Sequence, residues 1–274
     1  MLNKEASERC RIYPGEKVDV NQLDPADQGL WVEGCKAEYK ALMKEKLKEL
    51  EELQTQLYAE SKHKVLVVMQ AMDAGGKDGC VKRVFSSMDP KGVHVSPFKK
   101  PSAKELSHDY LWRIHKQAPA EGMVSVFNRS HYEDIIAVRV KNIFPKDVWE
   151  KRYDHIVNFE QMLADEGTKI VKVFLNISKE EQRERLQDRL DNQDKWWKFN
   201  PGDLDDRAMW DDFMEAYGDL FSRTSTDDAP WHVVPANRKW YRNLVVAQII
   251  INALKDLNME YPKVDWNSNE MKVE

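Results

Sequence analysis

Apolar and polar positions follow two different rhythms along this chain. Over residues 37–60, Leu42, Met43, Leu47, Leu50, Leu53 and Leu57 recur at three- and four-residue steps among lysines and glutamates, which predicts an amphipathic helix packed on a core. Beyond it the apolar residues gather into short runs at 65–69, 123–127, 170–175 and 231–234, with a weaker one at 93–98. Runs of this length bounded by Gly, Pro or Asn suit strands buried on both faces, and such strands belong to parallel sheets. Helical patterns separate them: Val81/Val84/Phe85/Met88, then residues 104–116, 132–141, 146–166, 179–190 and a closing stretch at 237–257. This alternation predicts βαβ units in a three-layer α/β domain with a central parallel sheet of about five strands. Its ligand crevice is expected beyond the carboxyl ends of the strands.

Two segments depart from that rhythm. The first 35 residues, with Pro14-Gly15 and Asp24-Pro25, read as an irregular arm, so that arm and amphipathic helix occupy 1–60, the α/β domain 61–262 and a tail 263–274. Residues 191–229 open with Lys195-Trp196-Trp197-Lys198-Phe199 and Pro201-Gly202-Asp203, then continue as a polar helical stretch. They read as a helical insertion projecting over the sheet edge, either a lid or an aromatic-rich packing module.

Composition narrows the function. The chain has 274 residues, 42% hydrophobic and 32% charged, with no apolar stretch near the roughly 20 residues that a membrane-spanning helix needs. The first residues carry Glu5 and Glu8 and no apolar run typical of a secretory leader, so the expectation is a cytoplasmic protein without a membrane partner. Cys10, Cys35 and Cys80 form an odd, widely spaced set and read as reduced thiols. The net charge of -5 hides a polarity: residues 1–60 sum to -4, residues 61–142 to +6 and the remainder to -7. A basic middle within an acidic chain suits a compact polyanion better than nucleic acid, whose binders more often have a basic pI over the whole domain. A solvated basic face with no ligand has the same charge pattern.

The candidate chemistry follows the strand ends. Gln70-Ala71-Met72-Asp73-Ala74-Gly75-Gly76-Lys77-Asp78-Gly79-Cys80 stands directly after the first run and leads into a helix. In such a turn the backbone N–H groups of Ala74, Gly75, Gly76, Lys77, Asp78 and Gly79 can converge on a phosphate, with Lys77 as the point charge. The pattern differs from the generic Walker A loop, having Ala71 at the first glycine and Asp78 after the lysine. Asp73 would repel phosphate unless a cation such as Mg2+ sat beside it; it equally suits an Asx-type loop cap. After the third run, Asn128 and Arg129 can orient a phosphate or a metal-bound water. Glu133 and Asp134 offer a further carboxylate for the metal, or serve as first-turn acids of a helix. Lys82, Arg83, Lys99, Lys100, Arg139, Arg185 and Arg189 are further candidate phosphate ligands, although Glu181 lies one turn before Arg185 and suits a plain ion pair. No histidine spacing suggests a metal set or a nucleophilic triad.

Taken together, Met72-Asp73-Ala74-Gly75-Gly76-Lys77-Asp78-Gly79, Phe127-Asn128-Arg129-Ser130-His131-Tyr132-Glu133-Asp134, Trp197-Lys198-Phe199 and Pro235-Ala236-Asn237-Arg238-Lys239-Trp240-Tyr241-Arg242-Asn243 resemble the polyphosphate kinase 2 family, over about residues 36–262. The resemblance implies a P-loop kinase fold with a helical lid, Mg2+ dependence and phosphoryl transfer between inorganic polyphosphate and adenine nucleotides, other bases being open. It also implies a homo-oligomer. By this resemblance Asp73 is the loop carboxylate of the metal site, Lys77 the cradle lysine, Asn128 and Arg129 the second-motif pair, and Arg189 the arginine at the base of the lid. Asn128 with His131-Tyr132-Glu133-Asp134 resembles the subgroup that phosphorylates both AMP and ADP, whereas Cys80 replaces a common threonine and Lys100 a small residue. An ATP-dependent nucleotide kinase of the same fold, or a phosphate-binding protein without turnover, would need the same loop.

Overall fold

A computed structural model describes residues 4–29, 36–265 and 273. In chain order its elements are α1 (Lys4–Cys10), β1 (Arg11–Ile12), α2 (Lys36–Glu60), β2 (Lys64–Gln70), α3 (Lys77–Val84), β3 (Val93–Pro97), α4 (Ala103–Leu106), α5 (Trp112–His115), β4 (Val124–Asn128), α6 (Glu133–Val140), α7 (Lys146–Trp149), α8 (Arg152–Asp165), β5 (Thr168–Asn176), α9 (Lys179–Asp191), α10 (Gly202–Ala208), α11 (Trp210–Thr224), β6 (Trp231–Pro235) and α12 (Lys239–Lys255). Short 3-10 turns lie at Val20–Gln22 and Gln193–Lys198. None of the described helices is long and apolar enough to cross a membrane.

The sheet runs β1-β6-β5-β2-β4-β3, five parallel strands and one antiparallel edge. Val65 to Met69 of β2 are wholly buried, as a central strand covered on both faces requires. Register brings the carboxyl ends level: Met69 pairs with Asn128 and with Val173, Pro97 with Asn128, and Asn176 with Pro235. The chain leaves β2 toward β3 on one side and later adds β5 on the other, so the strand order switches direction at β2. The crevice that such a switch creates opens directly above the loop after Gln70.

One buried charge interrupts the apolar rule. Lys172, within the β5 run, donates to Glu160 at 2.6 Å, to the Tyr132 hydroxyl at 2.9 Å and to the Thr224 carbonyl at 2.6 Å. Glu160 also meets Nε2 of His131 at 3.0 Å. All four side chains are buried, and the network joins the start of α6 and the middle of β5 to α8 and the end of α11.

Four expectations need correction, the simplest being the single helix over 146–166, which is two, α7 and α8. The arm is not irregular throughout: α1 packs against α12, and β1 pairs with β6, extending the sheet beyond five strands. It then crosses the carboxyl ends of β5 and β6, where the Asn176 amide donates to the Leu23 carbonyl at 3.0 Å and the Asn237 N–H to the Pro25 carbonyl at 3.1 Å. The helix expected over 104–116 is two short ones, because Ser102 and Glu105 form a capping box that starts α4 and Asp109 accepts from the Leu111 N–H at 3.0 Å, restarting the chain as α5. The insertion projects only in its first part. Trp210, Phe213, Met214, Tyr217, Leu220 and Phe221 of α11 are buried in the core, one helical stripe packed on Phe174 and Trp231. Ahead of it, Trp197 is 78% exposed.

Candidate active site

The loop between β2 and α3 is held in a conformation few sequences allow. Ala74 and Gly76 have φ of 59° and 93°, and the Gly75 N–H closes a turn on the Met72 carbonyl at 2.9 Å. The φ of Gly76 favours glycine, and a Cβ there would also have to displace the Arg242 guanidinium, whose nearest nitrogen would lie 2.2 Å away. Lys77 folds back over the loop and its ammonium donates to the Ala71 carbonyl at 2.7 Å. Burial pushes its pKa down from the usual lysine range, opposed by the negative charge of Asp73.

Arg129 follows β4 in a left-handed conformation, φ 63°, which turns its side chain toward the loop. Its Nη2 donates to Asp73 Oδ1 at 2.9 Å, with the two side chains 45% and 18% exposed. Asn128 donates through Nδ2 to Asp78 Oδ1 at 2.6 Å, joining the strand end to the first turn of α3. Glu133 and Asp134 have different surroundings. Glu133 lies in the field of Lys77 and Arg129, whereas Asp134 sits between Arg113 at 3.7 Å and Arg152 at 3.6 Å, its pKa raised by burial.

The basic candidates fall into distinct groups. Lys82 and Arg83 on the last turn of α3, and Lys99 and Lys100 after β3, are exposed. Arg189 donates to the Lys198 carbonyl at 3.0 Å and to Asp203 at 3.1 Å, bridging the end of α9 to α10. Arg185 is not open to a phosphate: its guanidinium lies beneath the loop, bonded to the carbonyls of Ala74, Gly75, Ala236 and Asn237 at 2.8–3.2 Å and to Glu181 at 2.7 Å. Arg139 is committed elsewhere, with Asp219 at 2.6 Å and Glu215 at 2.7 Å clamping α6 to α11.

Several residues at the site carry no readable motif of their own. Asp203 and Asp206 of α10 approach from the insertion. Burial and the charge of Asp73 push Asp203 up to about 6, with Arg189 and Arg129 opposing; burial also raises Asp206, which pairs with Lys141 at 2.6 Å. Two acids in the first turns of a polar helix look like any solvated face, so only the fold brings them to Asp73. Arg242 and Asn237 stand within a quoted motif, yet their roles beneath the loop depend on the docking of α12. Cys80 is buried behind the loop, its thiol pushed up to about 11 by burial despite Arg242, and Cys10 is pushed up to about 12. Both are free thiols, and Cys35 lies outside the described residues.

Comparison with known proteins matches residues 34–262 to the family Polyphosphate kinase 2 (PPK2). An AMP/ADP-polyphosphate phosphotransferase from Meiothermus ruber is 51% identical over 268 residues, covering 97% of this chain and 99% of the relative. An ADP-polyphosphate phosphotransferase from Rhodopseudomonas palustris is 43% identical, covering 94% of this chain and 92% of the relative. The crystal structure of Polyphosphate Kinase 2 from Arthrobacter aurescens TC1 superposes with a TM-score of 0.92 at 46% identity, over 96% of this chain and 94% of that one. With its P-loop kinase fold, its glycine loop at the switch point and this match along nearly its whole length, the chain belongs to the polyphosphate kinase 2 family and is an enzyme of that kind.

Proposed function

We propose that this protein transfers the terminal phosphoryl group of inorganic polyphosphate to AMP and ADP, with Mg2+. The observation that carries the reading is the meeting of Asp73, Lys77 and Arg129 at the strand switch, with exposed Lys82 and Arg83 further along α3 and exposed Lys99 beyond the end of β3. Polyphosphate has no base to recognise, so a cationic approach to a phosphate cradle is what it requires. The choice of AMP and ADP rests on the name of the Meiothermus ruber relative and on Asn128.

The donor set suits Mg2+. No group of three or more His, Cys, Asp or Glu among the described residues is arranged to hold a metal, which fits an ion bound by one or two carboxylates together with waters and substrate phosphates. Asp73 and Glu133 would hold it, Asp73 now having its charge met by Arg129. When bound, Mg2+ supplies charge neutralisation at the phosphate oxygens.

The chain's own groups account for the rest. The loop N–H groups and Lys77, released from the Ala71 carbonyl, hold the phosphoryl group, and Arg129 and Arg189 balance the charge spread over its oxygens. An oxygen of the nucleotide's terminal phosphate bonds to the last phosphorus of the polymer as the bridging P–O bond breaks, leaving the polymer one unit shorter. That attacking phosphate has a second pKa of roughly 6, so it is already ionised at neutral pH and needs no strong base. Residues 192–209 act as the lid that keeps water from the reacting phosphorus.

The test is direct. Purified protein with Mg2+, long-chain polyphosphate and ADP is expected to make ATP, and AMP to give ADP first, followed by luciferase and chromatography. Lys77→Ala should lower the rate by about a thousandfold, the loss of a main charge stabiliser. Product formed from ATP but none from polyphosphate would overturn the assignment of the donor.

A further inference from the structure

Gln182 of α9 is wholly buried, at 0% exposure, and both ends of its amide are committed. Nε2 donates to the backbone carbonyl of Asp73 at 3.0 Å, and Oε1 accepts from Nη1 of Arg207 at 3.2 Å. These partners dictate the orientation of the amide, since a carbonyl demands a donor and a guanidinium an acceptor. Arg207 belongs to α10, within the lid segment, and also donates to the Lys179 carbonyl at the start of α9. On the other side, Asp73 precedes Ala74, whose φ of 59° and whose carbonyl, held by Arg185, leave the loop little freedom. The direction of the Asp73 carboxylate therefore depends on the peptide group that Gln182 grips.

We infer that Gln182 is a positioning residue linking the seating of the lid to the aim of Asp73. The inference rests on the reading above, in which Asp73 faces the Mg2+ and residues 192–209 close over it. When α10 lifts, Arg207 withdraws from Oε1, and a buried amide left half-bonded is costly enough to shift its grip on the loop. Coupling between two binding events is reciprocal, so the state of the lid must change metal affinity to the same degree that bound metal and nucleotide favour the closed lid. Neither Gln182 nor Arg207 needs to touch the ion.

Two readouts test this apart from turnover. Hydrogen exchange of peptides covering 192–209 is followed with and without Mg2+ and ADP, no polyphosphate being present. Mn2+, standing in for Mg2+, is titrated by electron paramagnetic resonance with ADP. In the native protein Mg2+ with ADP should slow exchange in the lid; if it does not, the lid reading itself fails and the inference falls with it. In Gln182→Met the slowing should disappear and Mn2+ should bind about thirtyfold more weakly, the middle of the usual range for coupled sites. Arg207→Met should weaken Mn2+ by a similar factor, and the double variant should be no worse than either single one. A lid that is still protected in Gln182→Met, or effects that multiply in the double variant, would overturn the link. Should Gln182→Met fail to fold, Arg207→Met on the half-buried lid helix decides alone: unchanged Mn2+ affinity refutes the coupling.

Discussion

The side-chain amide of Asn128 donates to the carboxylate of Asp78 at 2.6 Å, so the end of β4 and the first turn of α3 are joined by a neutral donor facing an acid. An aspartate at 128 would set two carboxylates against each other at this distance. Asn128→Asp is expected to cost about 2 kcal/mol in urea unfolding, for a lost hydrogen bond plus repulsion, and to slow transfer. Adding Asp78→Asn should recover most of the stability. Independent, additive losses in the double variant would show that the two residues do not act as a pair.

Basic residues near the loop should separate into two classes when mutated. Arg185→Ala leaves four carbonyls and Glu181 without their donor, for a predicted loss of about 3 kcal/mol and a lower melting temperature. Lys82→Ala, Arg83→Ala and Lys99→Ala should each change stability by less than about 0.5 kcal/mol, as exposed sites do. They should instead raise KM for polyphosphate and weaken its dependence on salt. Equal thermal losses in both groups would contradict this division.

Lys172 and Glu160 make a pair with no access to water. Lys172→Met or Glu160→Gln should each destabilise by about 3 to 5 kcal/mol, because the partner remains buried and uncompensated. Replacing both by apolar residues should cost much less. Chemical denaturation of the three variants provides the comparison.

His232 predicts a pH response. Burial lowers its pKa from 6.5 to about 4, its Nδ1 meeting the Lys172 carbonyl at 3.2 Å. Between those values the unfolded chain binds a proton that the folded one refuses, so stability is retained above pH 6.5 and falls progressively toward pH 4. The full shift corresponds to about 3 kcal/mol. His232→Asn should flatten this part of the stability curve; an unaltered slope would assign the acid sensitivity elsewhere.

The five parallel strands were legible because residues buried on both faces leave consecutive apolar runs, and the phosphate loop because its turn demands glycine at Gly75 and Gly76. The arm was not, since β1 has two residues and too few positions to show any period. The buried stripe of α11 passed for a polar helix because Asp211, Asp212, Glu215 and Asp219 line its other face. Arg139 and Arg185 resembled phosphate ligands because a guanidinium in sequence does not reveal which distant acid or carbonyl will claim it. Asp203, Asp206 and Gln182 acquire meaning only from α10 and α9 meeting Asp73.

The pairing of β1 with β6 joins Arg11 and Ile12 to His232 and Trp231, segments far apart in the chain and so made at well separated times. While the ribosome is still working, Arg11 and Ile12 have no strand to join, and the β5 edge waits uncovered until Trp231 emerges. Such distant pairings close slowly. The nascent enzyme therefore passes through a period with an open flank, when chaperone capture or sticking to neighbouring chains competes with completion of the sheet.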